Sequence, residues 1–335
     1  MPELRKDPIT GTWVIISEER KKRPKYYEIV VNKDISIPEN CPFCPGNEGM
    51  TPPETHALRS GHSPANGPGW ELRAVPNKFP ALRVEGTLRK SGEGLYDKIS
   101  GIGAHEVIIE TPEHRKTWFD NDAAMIRNTL LAAKSRIIDL KKDTRFKYIM
   151  VFKNFGPTAG ATLSHSHSQL IALPVVPLRV QEEIEGARAH FERKERCIFC
   201  DIIQYENEAE RRLLAENEHV IVLAPYAPRF SFELAAYPKR HESAFENISD
   251  PELDGLSAIL AETLGQVGRL LSRPDFNLII HNAPCQNSVA DFYHWHIEFM
   301  PVLARVAGFE WGTGFYINPI SPEESVQSLK DARPR

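Results

Sequence analysis

Cysteine and histidine residues occur twice along the chain in the same order. Cys41 and Cys44 form a Cys-x-x-Cys pair, and His114 and the segment His165-Ser166-His167 follow them. The second half repeats this order with Cys197, Cys200, His241 and His294-Trp295-His296. Thiolates and imidazoles are ligands that Zn²⁺ prefers, and a Cys-x-x-Cys turn lets two sulfurs reach one ion. The repeat therefore predicts an internal duplication with a metal site in each half.

The duplicated positions predict four Zn²⁺ ligands in each half, which are Cys41, Cys44, His114 and His165 in the first half and Cys197, Cys200, His241 and His294 in the second. Four protein ligands leave no open coordination position, so both ions are expected to be structural. His105 is an alternative ligand in the first half, but Phe232 occupies its place in the repeat, which favours His114. In the second half His281 or His296 could replace His294. The other interpretation of a Cys-x-x-Cys pair is a redox pair or two buried thiols.

The strand that carries the first His-x-His motif is the predicted catalytic segment. Because side chains two residues apart point to the same face of a strand, His165, His167 and Gln169 should line one side. One histidine can then hold the metal while His167 faces a ligand. The preceding loop, residues 154–162, is rich in small residues that let backbone N–H groups approach an anion. The predicted phosphate-binding residues of this region are Asn154, Gly160, Ala161, Thr162 and Gln169.

A neutral imidazole beside a phosphate-binding loop is suited to nucleophilic attack on phosphorus. The product of that attack would be a covalent phosphoramidate on His167. A sugar phosphate leaves as a stabilised anion, so little acid catalysis is needed, and Gln169 with backbone donors could hold the non-bridging oxygens. The second half has Trp295 and Glu298 at the positions of Ser166 and Gln169, so it is expected to be a degenerate copy. The alternative is that both histidines of the first motif only bind metal or pack in the core.

Length and composition are compatible with two domains of ordinary size. The chain has 335 residues, of which 41% are hydrophobic, enough for a core in each half. A Glu- and Arg-rich helical segment at residues 179–196 contains the predicted boundary between an N-terminal catalytic domain, residues 1–180, and a C-terminal degenerate domain, residues 181–335. The formal charge of −4 gives no broad basic surface for nucleic acid. Without an apolar leader or a membrane-length apolar run, we expect a cytoplasmic protein with no membrane partner.

These motifs resemble those of the histidine-triad superfamily and, within it, the galactose-1-phosphate uridylyltransferase family, whose chains carry two such halves. The resemblance extends from the motif at residues 7–13 to the segment at residues 308–319. Together with the repeat, it implies an α+β fold of two tandem histidine-triad-like domains. Each domain would be an antiparallel sheet with flanking helices, and the two sheets would be related by a pseudo-two-fold axis. The resemblance also implies a homodimer.

The family resemblance implies a ping-pong reaction that passes through a nucleotidyl-histidine. In that reaction His167 would attack the α-phosphorus of UDP-glucose, release glucose 1-phosphate and pass the uridylyl group to galactose 1-phosphate. The ligands that the resemblance implies for the first metal site are the four assigned from the repeat. It further implies nucleotide or phosphate contacts for Arg20, Arg23, Asn77, Asn154, Thr162 and Gln169, and sugar-phosphate contacts, in one subunit or its partner, for Arg305, Gly308 and Glu310.

The middle residue of the first motif departs from the best-known members of this family. Those enzymes have His-Pro-His where this chain has His165-Ser166-His167. The version with Ser resembles the branch that includes ADP-glucose phosphorylase, which transfers adenylyl groups and also has the second Cys-x-x-Cys zinc site. An ADP-glucose phosphorylase with inorganic phosphate as acceptor is therefore the alternative to the uridylyltransferase. A zinc-stabilised nucleotide-binding protein without enzymatic activity is the third hypothesis.

Overall fold

An antiparallel sheet of ten strands runs through both halves of the chain. The computed structural model describes residues 1–22, 38–286 and 288–332. The strands in these ranges are β1 Glu3–Lys6, β2 Trp13–Ile16, β3 His56–Arg59, β4 Trp70–Pro76, β5 Lys90–Glu93, β6 Tyr96–Ile99, β7 Ala104–Ile109, β8 Tyr148–Phe155, β9 His167–Leu173, β10 Leu213–Glu216, β11 Val220–Leu223, β12 Leu234–Pro238, β13 Phe276–His281, β14 His296–Pro301 and β15 Tyr316–Asn318. The large sheet has the order β10-β11-β12-β14-β13-β8-β9-β7-β4-β3, while β1, β2 and β15 form a small sheet and β5 and β6 form a hairpin.

The order of the large sheet repeats about its centre, where β8 lies beside β13. Reading outward, β8, β9, β7, β4 and β3 correspond to β13, β14, β12, β11 and β10. Asn154 pairs with Asn277 across the central junction. The α+β class and the antiparallel sheets expected from the repeat are confirmed, but the two sheets are joined edge to edge into one. Joining them pairs the backbone groups that two free edges would otherwise expose.

The strand register corrects one detail of the repeat. The register of β7 places His105 opposite the residue four positions after His167. Continuing the register of β12 by one residue beyond Leu234 brings Glu233 opposite the residue four positions after His296. The counterpart of His105 is therefore Glu233 and not Phe232, although neither residue is a histidine.

Two long helices cover one face of the sheet. The α-helices of the described residues are α1 Ala123–Leu140, α2 Leu178–Lys194, α3 Ile198–Ala209, α4 Asp250–Leu270, α5 Gly308–Thr313 and α6 Pro322–Asp331. Helix α1 starts at the cap Asp122, and α4 starts at a capping box formed by Ser249 and Glu252. The apolar sides of α1 and α4 share one core with the sheet, which includes Leu72, Ile108, Ile126, Leu130, Leu170, Leu256 and Leu260. Among these helices, none is long and apolar enough to cross a membrane.

The opposite face of the sheet differs between the two halves. In the second half it is covered by α2 and α3, since Val180 and Ile184 of α2 pack with Ile221 and Leu223 of β11. In the first half the same face carries the segment that contains the first Cys-x-x-Cys pair. Among the described residues, helices occupy this face in the second half, whereas the Cys-x-x-Cys segment lies there in the first half.

Helix α2 is the connecting helix that the sequence predicts between the halves. It spans Leu178–Lys194 and so contains the predicted boundary between residues 180 and 181. The boundary itself stays a prediction. Gly186 in this helix lies directly against the N-terminal segment, because a Cβ at this position would lie 1.8 Å from the backbone oxygen of Ile9. The close contact requires a residue without a side chain.

Gly186→Ala should destabilise the protein, although alanine is the better helix former. The helix or the segment at Ile9 must move to make room, and we expect a loss of about 1–3 kcal/mol in the free energy of unfolding, measured by denaturant titration. Glu185→Ala, at the adjacent exposed position, is the control and should change stability little. An unchanged or stabilised Gly186→Ala variant would show that the contact with Ile9 does not form in solution.

Candidate active site

The first cysteine–histidine set converges on one point. Cys44 Sγ lies 3.2 Å from His114 Nδ1 and 3.5 Å from His165 Nδ1, and Cys41 Sγ lies 3.6 Å from His165 Nδ1. The four ligand atoms lie within 4.8 Å of one another. Zn–S and Zn–N bonds of about 2.3 and 2.0 Å at a tetrahedral angle would place sulfur and nitrogen about 3.5 Å apart. The geometry of these side chains therefore fits a tetrahedral Zn²⁺ ion.

The ring of His165 is oriented by a hydrogen bond on its far side. His165 Nε2 lies 2.7 Å from the carbonyl oxygen of Thr111, so Nε2–H donates to it. Nδ1 then keeps its lone pair on the side of the sulfurs. Outer partners of this kind fix the tautomer of metal-binding histidines. The chain turns after His165, since β9 begins only at His167.

The second cysteine–histidine set has the same arrangement. Cys200 Sγ lies 3.3 Å from His241 Nδ1 and 3.7 Å from His294 Nδ1, and these atoms and Cys197 Sγ lie within 4.8 Å of one another. His294 Nε2 lies 2.9 Å from the carbonyl oxygen of Pro238, which leaves Nδ1 for the metal. Of the three histidines considered from the sequence, the structure brings His294 to the cysteines. This site also fits Zn²⁺.

The two ring nitrogens of His167 have different roles, because one is hydrogen-bonded to the backbone and the other keeps its lone pair. Its Nδ1 lies 2.8 Å from the carbonyl oxygen of His165, so Nδ1–H donates and Nε2 carries the lone pair. The side chain is 7% exposed and packs edge-on against Phe43. Burial lowers the pKa of His167, and the positive charge of Lys153 acts in the same direction. The imidazole is therefore held neutral, as a nucleophile must be.

A buried ion pair supports the catalytic strand from the opposite face. Lys153 Nζ donates to Glu110 Oε2 at 2.8 Å, to Ser166 Oγ at 2.9 Å and to the carbonyl oxygen of His167 at 3.0 Å. The two carboxylate oxygens of Glu110 also accept bonds from Ser166 and Ser168. Burial disfavours the charge on Glu110, but the ammonium outweighs this effect and lowers the pKa of the carboxyl group. Removing either partner would leave an uncompensated buried charge, at a cost of about 3–5 kcal/mol.

The sequence analysis missed Lys153 and Glu110, although a signal was present. Lys153 directly follows the apolar run at residues 148–152, and Glu110 directly follows the apolar run at residues 107–109. Charged residues in such places are rare unless they are paired. The pairing itself joins residues 43 positions apart, so it could not be read from local sequence.

Gln169 lies on the same face of β9 as His167 and contacts His105, which in turn contacts Asn77. Its Oε1 lies 2.9 Å from His105 Nε2, and Asn77 Nδ2 lies 3.1 Å from the same nitrogen. The structure thus brings together His167, Gln169 and Asn77, which the sequence predicts as site residues. His105, which the sequence suggested as an alternative metal ligand, contacts these amides instead.

The predicted phosphate loop at residues 154–162 is held partly by the second half. Thr158 N and Oγ1 donate to Asp275 Oδ2 at 2.8 and 2.6 Å. The N–H groups of Gly160 and Ala161 donate to carbonyl oxygens of the loop itself. These backbone groups, which the sequence analysis expected to bind phosphate, are thus engaged within the protein, because the loop folds into a tight 3-10 turn at Pro157–Ala159. Asn154 and the exposed Thr162 remain as side-chain donors of the loop.

The basic and C-terminal residues implied by the resemblance lie in or beside short helices outside the large sheet. Arg20 is half-buried in a short 3-10 helix that follows β2, while Arg23 lies outside the described residues. Arg305 is exposed before α5 and Gly308 is the exposed first residue of that helix, while Glu310 accepts a hydrogen bond from the N–H group that precedes the helix. Contacts of these residues with substrate, within one subunit or across a homodimer, stay a prediction.

In the second half, ion pairs fill the place that corresponds to the site around His167. His296 Nδ1 repeats the hydrogen bond to the histidine two residues earlier, at 3.1 Å. His281 stacks on His296 and lies 3.1 Å from both Glu183 and Glu298. Burial opposes a charge on His281, but the two carboxylates outweigh it and raise its pKa to about 10. Arg229 forms an ion pair with Glu298 at 2.6 Å. Glu298, which corresponds to Gln169, is therefore engaged in an internal ion pair.

Two family models match the chain. One describes the N-terminal domain of galactose-1-phosphate uridyl transferase and matches residues 1–177. The other describes a domain of unknown function and matches residues 118–333. The first match contains the first metal cluster, His167 and Gln169.

Curated proteins and solved structures show similarity along almost the whole chain. ADP-glucose phosphorylase from Arabidopsis thaliana is 36% identical over 98% of this chain and 93% of its own. Galactose-1-phosphate uridylyltransferase from Thermotoga maritima is 30% identical over 99% of this chain and 98% of its own. The Arabidopsis structure with bound ADP-glucose has a TM-score of 0.84 at 35% identity, and a uridylyltransferase structure has 0.76 at 27%; each comparison covers 99% of this chain and 98% of the other. The chain therefore belongs to the galactose-1-phosphate uridylyltransferase family.

Proposed function

We propose that this family member transfers a nucleoside monophosphate group through a covalent intermediate on His167. Nε2 of His167 attacks the phosphorus next to the nucleoside, the bond to the outer phosphate breaks, and sugar 1-phosphate leaves with the electron pair. An acceptor phosphate oxygen then attacks the same phosphorus and frees the imidazole. The observation that carries the proposal is the hydrogen bond from Nδ1 to the His165 carbonyl, which leaves Nε2 as the nucleophile.

The polar groups around His167 support this reaction. Phosphoryl transfer requires little covalent help from the protein beyond positioning and stabilisation of charge on the phosphate oxygens. Asn154, Gln169 and Asn77 are neutral amides, so they can donate hydrogen bonds to these oxygens without adding a charge that would trap the product. The neutral state of the imidazole follows from its burial.

Bound Zn²⁺ would cross-link distant segments of the chain and would not activate a water molecule. Each cluster offers four protein ligands, which completes the tetrahedral shell of a structural site. In the first half the ligand His165 also provides the carbonyl oxygen that orients His167. The metal site therefore supports the nucleophile through one residue.

For the donor and acceptor we propose ADP-glucose and inorganic phosphate as the first pair to test. The supporting observations are the higher identity to the Arabidopsis ADP-glucose phosphorylase, 36% against 30%, and the higher TM-score, 0.84 against 0.76. Ser166 and the second Cys-x-x-Cys pair agree with this choice. UDP-glucose with a hexose 1-phosphate is the second candidate, supported by the relative from Thermotoga maritima at almost full length.

His167→Ala should abolish covalent labelling by the donor. The wild type, mixed with donor radiolabelled at the inner phosphate and quenched in alkali, should retain label on the protein, because phosphoramidates survive alkali. His62→Ala, at an exposed histidine outside the site, should label as the wild type does. The proposal fails if neither donor labels the wild type, or if His167→Ala labels and turns over normally.

Steady-state kinetics should distinguish the two donors. We expect kcat/KM for ADP-glucose with phosphate to exceed that for UDP-glucose with galactose 1-phosphate by at least about tenfold, because a pocket that pairs with one base leaves polar groups unpaired with the other. The reverse order would establish the uridylyltransferase reaction in this chain. Nucleotide binding without turnover of either donor would favour the non-enzymatic hypothesis.

Metal analysis should find two Zn²⁺ ions per chain. Cys44→Ser should lose one of them and lower the melting temperature, since metal binding to the folded state stabilises it. Cys285→Ser, outside both clusters, is the matched control and should keep two ions. Two ions in Cys44→Ser, or a metal-free wild type with undiminished stability, would contradict the assignment.

A further inference from the structure

We infer that His105 and Asn277 are positioning residues that turn the amide groups of Gln169 and Asn154, so that both present N–H donors to a phosphate beside His167. The inference rests on the proposed function, because it assigns the groups that hold the transferred phosphate. It also gives the second half a role in the site, since Asn277 belongs to β13. Two backbone groups, one that can only donate and one that can only accept, fix the orientation of these side chains.

The first of these backbone groups is the N–H of Ala81. It lies 3.2 Å from His105 Nδ1 and can only donate, so Nδ1 must be the unprotonated nitrogen of the ring. The proton of the neutral ring therefore resides on Nε2, which lies 2.9 Å from Gln169 Oε1. The amide oxygen of Gln169 accepts this bond. Its amide nitrogen is then the group left for a ligand.

Asn77 does not alter this assignment. Its Oδ1 accepts a hydrogen bond from the N–H of Phe79 at 2.9 Å, so its amide nitrogen is the atom that faces His105. Of the two neighbours of Nε2, only Gln169 offers an oxygen to accept the proton.

The second backbone group is the carbonyl oxygen of Ala159. It lies 2.9 Å from Asn277 Nδ2 and can only accept, which fixes the orientation of the Asn277 amide. The same nitrogen lies 2.8 Å from Asn154 Oδ1, so this oxygen also accepts. The amide nitrogen of Asn154 then faces the phosphate loop, where a Cβ at Gly160 would lie 3.7 Å from it.

The strand register places both amides beside the nucleophile. Gln169 lies two residues after His167 on β9, and continuation of the pairing of β8 with β9 places Asn154 opposite His167. Paired residues of an antiparallel sheet point to the same face. The N–H groups of Gly160 and Ala161 are engaged within the loop, whereas the side-chain amides of Asn154 and Gln169 lie beside His167. Donors that are oriented before the ligand binds lose little entropy when charge develops on the phosphate.

A pair of substitutions at His105 tests the inference. The terminal amide of Gln reaches the position of Nε2, whereas that of Asn reaches only the position of Nδ1. His105→Asn should lower the single-turnover rate of covalent labelling by about 10- to 100-fold, the effect of a lost hydrogen bond to a group that binds an anion. His105→Gln should recover the rate to within about threefold of the wild type. His62→Asn is the matched control and should label normally.

A substitution at Asn277 tests the same point from the second half. Asn277→Asp keeps the size of the side chain but replaces the donor by a carboxylate oxygen. The amide of Asn154 should then reverse and present its oxygen to the phosphate, and we expect at least about a tenfold loss of labelling rate. Zinc content and melting temperature should remain near the wild-type values, which separates this effect from unfolding.

The inference is overturned if His105→Asn labels as fast as the wild type, or if His105→Gln is as impaired as His105→Asn. A measurement that needs no turnover is nitrogen-15 NMR of the His105 ring, with His105→Gln used to assign the signal. We expect the neutral form protonated at Nε2. A ring protonated at Nδ1, or at both nitrogens, would refute the assignment. This readout decides the inference even if the wild type forms no covalent intermediate, a result that would remove only the proposed function.

Discussion

The hydrogen bond from His167 Nδ1–H to the carbonyl oxygen of His165 is the interaction on which the site depends. It fixes the tautomer of His167 and leaves the lone pair of the ring on Nε2. The carbonyl is itself held in place, because the side chain of His165 lies between the two cysteines and the carbonyl oxygen of Thr111. On the other face of the strand, Lys153 donates to the carbonyl of His167. The cysteine–histidine cluster and the buried ion pair therefore hold His167 from two sides, the first through the backbone of His165 and the second through the backbone of His167 itself.

The two halves share the same backbone arrangement at the His-x-His motif but differ in the side chains that surround it. His296 repeats the hydrogen bond of His167, but α2 covers this face of the second half and contributes Glu183 to an internal ion-pair network. In the second half, the place that corresponds to the surroundings of His167 is occupied by this ion-pair network. The direct contribution of the second half to the first site crosses the central junction of the sheet, where Asp275 and Asn277 hold the loop at residues 154–162. A continuous sheet makes this contribution possible, since two separate sheets would not place β13 beside β8.

The sequence was sufficient for the parts of the site that depend on residue type and order. The repeat identified both cysteine–histidine sets that the structure brings together, and alternation along a strand placed His167 and Gln169 on one face. The sequence was insufficient for contacts that form between segments far apart along the chain. The ion pair of Lys153 with Glu110 and the join between β8 and β13 are contacts between segments far apart in sequence, so no local pattern encodes them. The expectation that Gly160 and Ala161 offer backbone donors to phosphate stays a prediction, since in the structure their N–H groups donate to carbonyl oxygens of the loop itself.

The central claim is that Nε2 of His167 becomes bonded to phosphorus during turnover. The most direct test is to isolate the protein after a single turnover without acceptor, locate the adduct by mass spectrometry of alkaline digests, and identify the bonded ring nitrogen by phosphorus–nitrogen NMR. The account predicts one nucleotidyl group on His167, attached through Nε2. An adduct on another residue, or attachment through Nδ1, would contradict it, because the hydrogen bond to the His165 carbonyl could not then be present in the reacting state.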